Sequence, residues 1–169
     1  MELPISINHA TIYQGRIPVL QSISLDVSIG EFVFLVGKTG SGKSTIAQLL
    51  TRMYQVDKGQ ITIDGNLINE MNIQSLRSAI GYVQQDVFLF SDSIKNNIQF
   101  GVISSDETIK AAAKSAHILN EIEQLPAGFE TMVGERGTTL SGGQKQRISI
   151  ARALIKEPDL FIFDDCLSA

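Results

Sequence analysis

The sequence predicts an α/β protein. Two continuous apolar runs, Phe32 to Val36 and Leu160 to Phe163, fit strands covered on both faces in a parallel sheet. Ahead of the first run, apolar and polar residues alternate as in half-buried strands. Between the two runs lies a stretch rich in helix formers, so the order is β-rich, α/β, a helical insert, then α/β again.

Taken in order, ISINHATIY alternates over part of its length and carries β-branched residues, which predicts a strand. ISLDVSI, from Ile23 to Ile29, alternates more cleanly, with Gly30 as the turn. EFVFLVG contains the first buried strand, and STIAQLLTRMY has helical spacing. ITIDG, from Ile61 to Gly65, reads as a strand ending in a turn, IQSLRSA as a short helix and IGYV as a short strand. In SSDETIKAAAKSAHILNEIEQL, Ser104 and Glu107 match the capping-box spacing of a helix start. Pro126 and Gly128 end that segment. From Gly142 to Lys156, apolar Ile148, Ala151, Leu154 and Ile155 share one face of an amphipathic helix, which Pro158 stops. LFIF is the second buried strand.

The 169 residues are 43% hydrophobic and 19% charged, enough to build a substantial core. The net charge of −4 and sequence pI of about 5.1 argue against nucleic acid as a partner, since backbone binding needs basic surface. Cys166 is the single cysteine, so no internal disulfide forms and a reducing compartment is expected. The opening MELPISINHA shows neither a basic nor an apolar leader region, and no apolar run is long enough to cross a bilayer.

The chemistry begins at Gly37. Gly37, Lys38, Thr39, Gly40, Ser41, Gly42, Lys43 and Ser44 fit G-x-x-x-x-G-K-[ST], between an expected strand and an expected helix. Glycines let successive backbone N–H groups face phosphate oxygens, and the helix adds its positive end. Lys43 is placed for the β- and γ-phosphates and Ser44 for Mg²⁺. A second run, Ser141, Gly142, Gly143 and Gln144, opens the amphipathic helix and forms another anion site. Such a run alone is more often a plain loop; here it caps a helix. Two phosphate-binding helix starts in one chain mean two phosphates, or one ligand shared with another copy.

The whole chain resembles the ATP-binding cassette (ABC) family, the nucleotide-binding domain of ABC transporters. GKTGSGKST, ending at Thr45, resembles the Walker A loop, and LSGGQ the family signature. LFIFD resembles Walker B, which implies that Asp164 lies near Mg²⁺. Gln85 in GYVQQD is similar to the Q-loop glutamine, a ligand of Mg²⁺ and of the attacking water. Tyr13 resembles the aromatic that stacks on adenine, although an ordinary strand tyrosine fits as well. His9 and His117 match no motif. The implied fold is a P-loop NTPase (RecA-like) core over 1–87 and 141–169, with an N-terminal antiparallel β subdomain and an inserted α-helical subdomain over 88–140. The implied ligands are ATP and Mg²⁺. The implied partners are a second ABC ATPase domain and the coupling helices of a transmembrane domain, at the cytoplasmic face of a membrane.

TMVGERG, from Thr131 to Gly137, and DVFLFSDSIKNNIQFG are similar to the corresponding exporter segments, whereas FVFLVGKTGSGKS fits cassettes of other groups equally. In the family, two cassettes pack head to tail. The resemblance therefore places Ser141, Gly142 and Gln144 against a nucleotide held by the partner. The residue after Asp164 is normally a glutamate that polarises the attacking water; here it is Asp165, one methylene shorter. Five readings stay open: an ATP-hydrolysing exporter subunit, the slow non-consensus half of a heterodimer, a catalytically idle nucleotide-binding module, a non-transport ABC ATPase, and a P-loop small-molecule kinase, against which LSGGQ counts. The family continues past LSA into further strands, a switch histidine and closing helices, so the sequence reads as a truncated cassette, with little activity expected of it in isolation.

Overall fold

The computed structural model describes residues 4–137 and 139–164. The chain forms two compact units that divide between Arg77 and Ser78.

The first unit is built on an antiparallel sheet. Strands β1 (Ile5–Gln14) and β2 (Ile17–Val27) form a hairpin around Gly15 and Arg16, and Gly15 takes a positive φ of 65°. Helix α1 (Lys43–Leu50) follows, then β3 (Lys58–Ile63) and the two-residue β4 (Asn66–Leu67). The sheet order is β2-β1-β3-β4. In β1, Ile5, Ile7, Ala10 and Ile12 are buried while Asn8, His9, Tyr13 and Gln14 are exposed. The alternation slips at His9, whose φ of 48° marks a bulge where both neighbouring ladders shift register. Gly59, opposite this bulge, has a φ of 81°, and a Cβ there would collide with the carbonyls of Asn8 and His9. Helix α2 (Ile73–Ser78) ends the unit.

The second unit opens with β5 (Ile80–Val83), which pairs in parallel with β6 (Leu160–Phe163), Val83 lying beside Phe163. Between them come α3 (Ile94–Ile98), α4 (Asp106–Ser115), α5 (Leu119–Glu123), two 3₁₀ turns and α6 (Gly142–Leu154). Their shared core holds Leu89, Ile94, Ile98, Ile109, Ile122 and Ile148, each at most 1% exposed. Ala112, Ala113 and Ala151 let α4 and α6 approach closely there.

The antiparallel sheet, the inserted helices and the parallel pair are the layout expected of the fold. Four local expectations are corrected. Phe32 to Val36 forms no strand and is exposed, Val36 at 93% and Phe34 at 73%. A parallel strand is held by ladder bonds to neighbours, and no described strand pairs with this run. Leu160 to Phe163 is a strand, but Phe161 and Phe163 remain 39% and 37% exposed, because β5 is its one described neighbour. Helix α4 is capped by Ser105, not Ser104: Ser105 has the extended backbone of a cap and its hydroxyl accepts from Thr108 N.

The helix-rich insert also splits. His117, at a φ of 54°, ends α4, with His117 N donating to Lys114 O and Ile118 N to Ala113 O. This is a Schellman closure with histidine in the left-handed position glycine usually takes. Arg52 closes α1 the same way.

Candidate functional site

Each unit carries part of the expected chemistry. In the first, the loop from Gly37 to Gly42 turns over on itself, with Ser41 N donating to Lys38 O at 3.1 Å. Gly37 has no room for a Cβ beside the Ser41 hydroxyl. Gly40 and Gly42 take φ values of 79° and 89°, and a Cβ on Gly42 would collide with Leu20. Gly42 is the N-cap of α1, so no side chain caps the helix, and its first turn holds no acidic residue. An incoming anion therefore meets a positive helix end with no carboxylate on that turn. Lys43 folds back across the loop, its Nζ donating to Gly37 O at 2.7 Å and Lys38 O at 3.2 Å. Ser44 and Thr45 follow in the first turn of α1, half-buried. The loop geometry and its resident cation fit a phosphate group.

Tyr13 lies near the end of β1, 38% exposed, with its backbone N–H on Asp57 Oδ2 at 2.8 Å. The Lys58 ammonium sits 5.9 Å from the ring centroid.

In the second unit the parallel pairing sends the chain out of β5 and β6 at the same end. Gln85 is exposed in a bend two residues past β5, and Asp164 immediately follows β6, its N–H on Val83 O at 2.9 Å. Tyr82 was not foreseen here. Its hydroxyl donates to Asp164 Oδ2 at 3.1 Å, and burial, then the Asp164 charge and this bond, push its pKa to about 12. The phenol therefore stays a donor across the physiological range and fixes one carboxylate oxygen. No group of three or more His, Cys, Asp or Glu side chains with metal-binding geometry occurs among the described residues. Mg²⁺ suits such a setting, because it is commonly held by one or two carboxylates together with substrate phosphates. Asp165 lies outside the described residues.

The signature run caps α6. Ser141 Oγ accepts from Gln144 N at 3.2 Å, and Gln144 Oε1 accepts from Ser141 N at 2.9 Å, a reciprocal capping box. Gly142 and Gly143 occupy the first two helical positions, where N–H groups have no intrahelical acceptor. Two more residues join them: Glu121 Oε2 accepts from Gln144 Nε2 at 3.1 Å, and Glu121 Oε1 from Arg147 Nη2 at 2.5 Å.

The two exporter-like segments meet. Ile94 N donates to Thr131 O at 3.0 Å, Val133 N to Asp92 O at 2.8 Å, and Ser93 bridges Met132. Beside them Phe88, Phe90 and Phe100 form a half-exposed aromatic cluster. Arg152 of α6 lies under it, 5.6 Å from the Phe90 ring centroid. Its guanidinium donates to Asn97 O, Asn97 Oδ1 and Phe88 O at 2.7 to 2.9 Å. Burial pushes the Arg152 pKa down to about 10, which leaves it cationic at neutral pH.

The loop, the capped signature helix and the paired strand ends define a nucleotide-binding α/β protein of the P-loop type. Comparison with protein families matches residues 20–168 to the ABC transporter family, and the chain belongs to that family. It is 49% identical over 158 residues to an uncharacterized ABC transporter ATP-binding protein, YwjA, of Bacillus subtilis (strain 168), covering 93% of the chain and 28% of that protein. It is 48% identical over 166 residues to an ATP-dependent lipid A-core flippase of Hahella chejuensis, covering 97% of the chain and 28% of the flippase. Among solved structures, a bacterial Atm1-family ABC exporter with ATP bound superposes with a TM-score of 0.94 at 44% identity, covering 99% of the chain and 30% of the exporter. The chain thus spans under a third of the relatives it matches.

Proposed function

We propose that the chain is the ATP-binding and ATP-hydrolysing part of an ABC exporter, driving transport when two cassettes close on ATP and reopen after hydrolysis. The observation that carries this reading is the cradle at Gly37 to Ser44, a glycine-shaped loop crossed by the Lys43 ammonium and followed by a helix with no side-chain cap. Mg²⁺, when bound, neutralises charge on the transferred phosphoryl group.

In this reading Lys43 leaves the Gly37 and Lys38 carbonyls for phosphate oxygens, and the N–H groups of Gly40 to Thr45 line the phosphate chain. Ser44, Gln85 and Asp164 supply metal ligands, with Tyr82 holding the Asp164 carboxylate in one orientation. Asp165 polarises the attacking water and Gln85 positions it. Tyr13 stacks on the adenine. Ser141, Gly142, Gly143 and Gln144 present the start of α6 to a nucleotide held by a second cassette. Residues 1–87 and 141–169 act as the nucleotide-binding core and 88–140 as the helical subdomain. Phe88, Phe90, Phe100 and Met132 face the coupling helices of a transmembrane domain at the cytoplasmic face of the membrane. Exporter relatives, including the lipid A-core flippase, support that direction.

Lys43→Ala is expected to remove most MgATP affinity, whereas Lys38→Ala changes it little. Titration with a fluorescent ATP analogue checks this, and equal effects of the two substitutions would defeat the assignment. A second reading, a slow non-consensus half of a heterodimer, is favoured by Asp165 standing where a glutamate is normal.

A further inference from the structure

We propose that Glu121 is a positioning residue for the signature turn. Through Gln144 it sets the self-capped start of α6 that meets a phosphate held by a second cassette. The inference rests on the trans role just proposed for Ser141 to Gln144.

Glu121 lies on α5, a different helix from the signature, and both its oxygens are engaged there. Oε2 accepts from Gln144 Nε2 at 3.1 Å and Oε1 from Arg147 Nη2 at 2.5 Å. The first bond decides which way the Gln144 amide faces. With Nε2 committed to a carboxylate, Oε1 is turned to the Ser141 N–H, which it accepts at 2.9 Å. Were the amide reversed, it would present a donor to a donor, and the reciprocal cap would open. The second bond handles charge. A carboxylate beside an anion site opposes binding, and Arg147 offsets it. Arg147 Nε is buried without a hydrogen-bond partner, so the guanidinium sits where Glu121 draws it, not where its own donors would be best satisfied.

Stability is a poor explanation for this pair. The Arg147 and Glu121 side chains are 33% and 41% exposed, and ion pairs that open to water contribute little to folding. What the contacts do accomplish is orientation, at the two residues whose side chain and N–H close the cap.

The test separates Glu121 from a folding role by using the trans geometry. The membrane-assembled protein is prepared with two kinds of copy in one dimer. In the first arrangement one copy carries Lys43→Ala and the other Glu121→Ala, so the remaining working loop faces an intact signature. In the second, both substitutions sit in one copy, so the working loop of the other faces the altered signature. Steady-state phosphate release is expected to be about fivefold lower in the second arrangement, the scale of roughly one lost hydrogen bond. Binding of a fluorescent ATP analogue and the melting temperature should match between arrangements. Glu121→Asp, which keeps a carboxylate, should recover most of the difference. Equal turnover in the two arrangements, or a loss tracked by a lower melting temperature, overturns the proposal. If Lys43→Ala in both copies leaves turnover intact, the proposed function itself fails, and this inference fails with it.

Discussion

Asp165 sets the clearest question at the scale of single residues. A carboxylate shortened by one methylene is withdrawn by about one bond length, and a misplacement near 1 Å costs on the order of a hundredfold in rate. Asp165→Glu should therefore raise phosphate release by the assembled protein about tenfold at saturating MgATP, with ATP affinity nearly unchanged. Asp165→Asn should abolish turnover if both sites of the dimer come from this chain, and spare a partner's site if they do not. Lys43 and Ser44 were named from the spacing of the glycine-rich motif, and Gln85 and Asp164 from the resemblance to the family. Tyr82 and Glu121 were named by neither. Tyr82 reaches Asp164 only through the β5–β6 register, and Glu121 reaches Gln144 only through the packing of α5 against α6. Neither relation leaves a trace in residue spacing.

Among the elements, α6 depends on more than its apolar face. Arg152 satisfies two carbonyls and the Asn97 side chain, and Asn97 is itself fully buried, with Nδ2 on Phe90 O and Ser93 O. Arg152→Leu strands these acceptors, and it should destabilise the chain by about 2–4 kcal/mol in a denaturant titration. Arg152→Lys should recover only part, since an ammonium cannot reproduce the planar fork. Helix α4 should respond to pH. The Lys95 ammonium, 2.7 Å away, holds Asp106 below the usual carboxylate range, and backbone and Ser105 hydrogen bonds do the same for Glu107. Both carboxylates bind protons more weakly folded than unfolded. Their contribution is thus complete above pH about 4–5 and lost as pH falls through their lowered values. A stability series in which Lys95→Met removes part of the acid sensitivity would bear this out. Helices α1, α2, α4 and α6 were legible from periodicity and composition, and so was the start of α6; α3 and the stops of α1 and α4 were not. Stops made by His117 and Arg52 use non-glycine residues in the left-handed region, so no glycine announces them.

Over the whole molecule, strand β1 and the amphipathic α6 were legible because one face of each is buried, whereas the antiparallel arrangement of the sheet was implied by the family resemblance. The apolar run from Phe32 to Val36 misled, since hydrophobicity records what a strand would require of its neighbours and not whether they are paired with it. As it stands, the run exposes Phe32, Phe34 and Val36. Contiguous apolar surface of this kind drives association. The chain on its own should bind a hydrophobic dye and scatter light at moderate concentration, and Phe34→Glu with Val36→Lys should reduce both. A monomeric wild-type chain without dye binding would contradict this.

The parallel pairing of β5 with β6 also bears on the order of assembly. Every residue of the helical insert is made between the two strands, so Val83 must wait for Phe163 before its ladder can close. The insert packs Ile98 and Ile122 into one core with Ile148 of α6, and the collapse of that core shortens the loop that joining the strands must close. Amides of α4 should therefore gain protection in pulsed hydrogen exchange before those of β5. The bond from Asp164 N to Val83 O, at the end of those strands, should then form last.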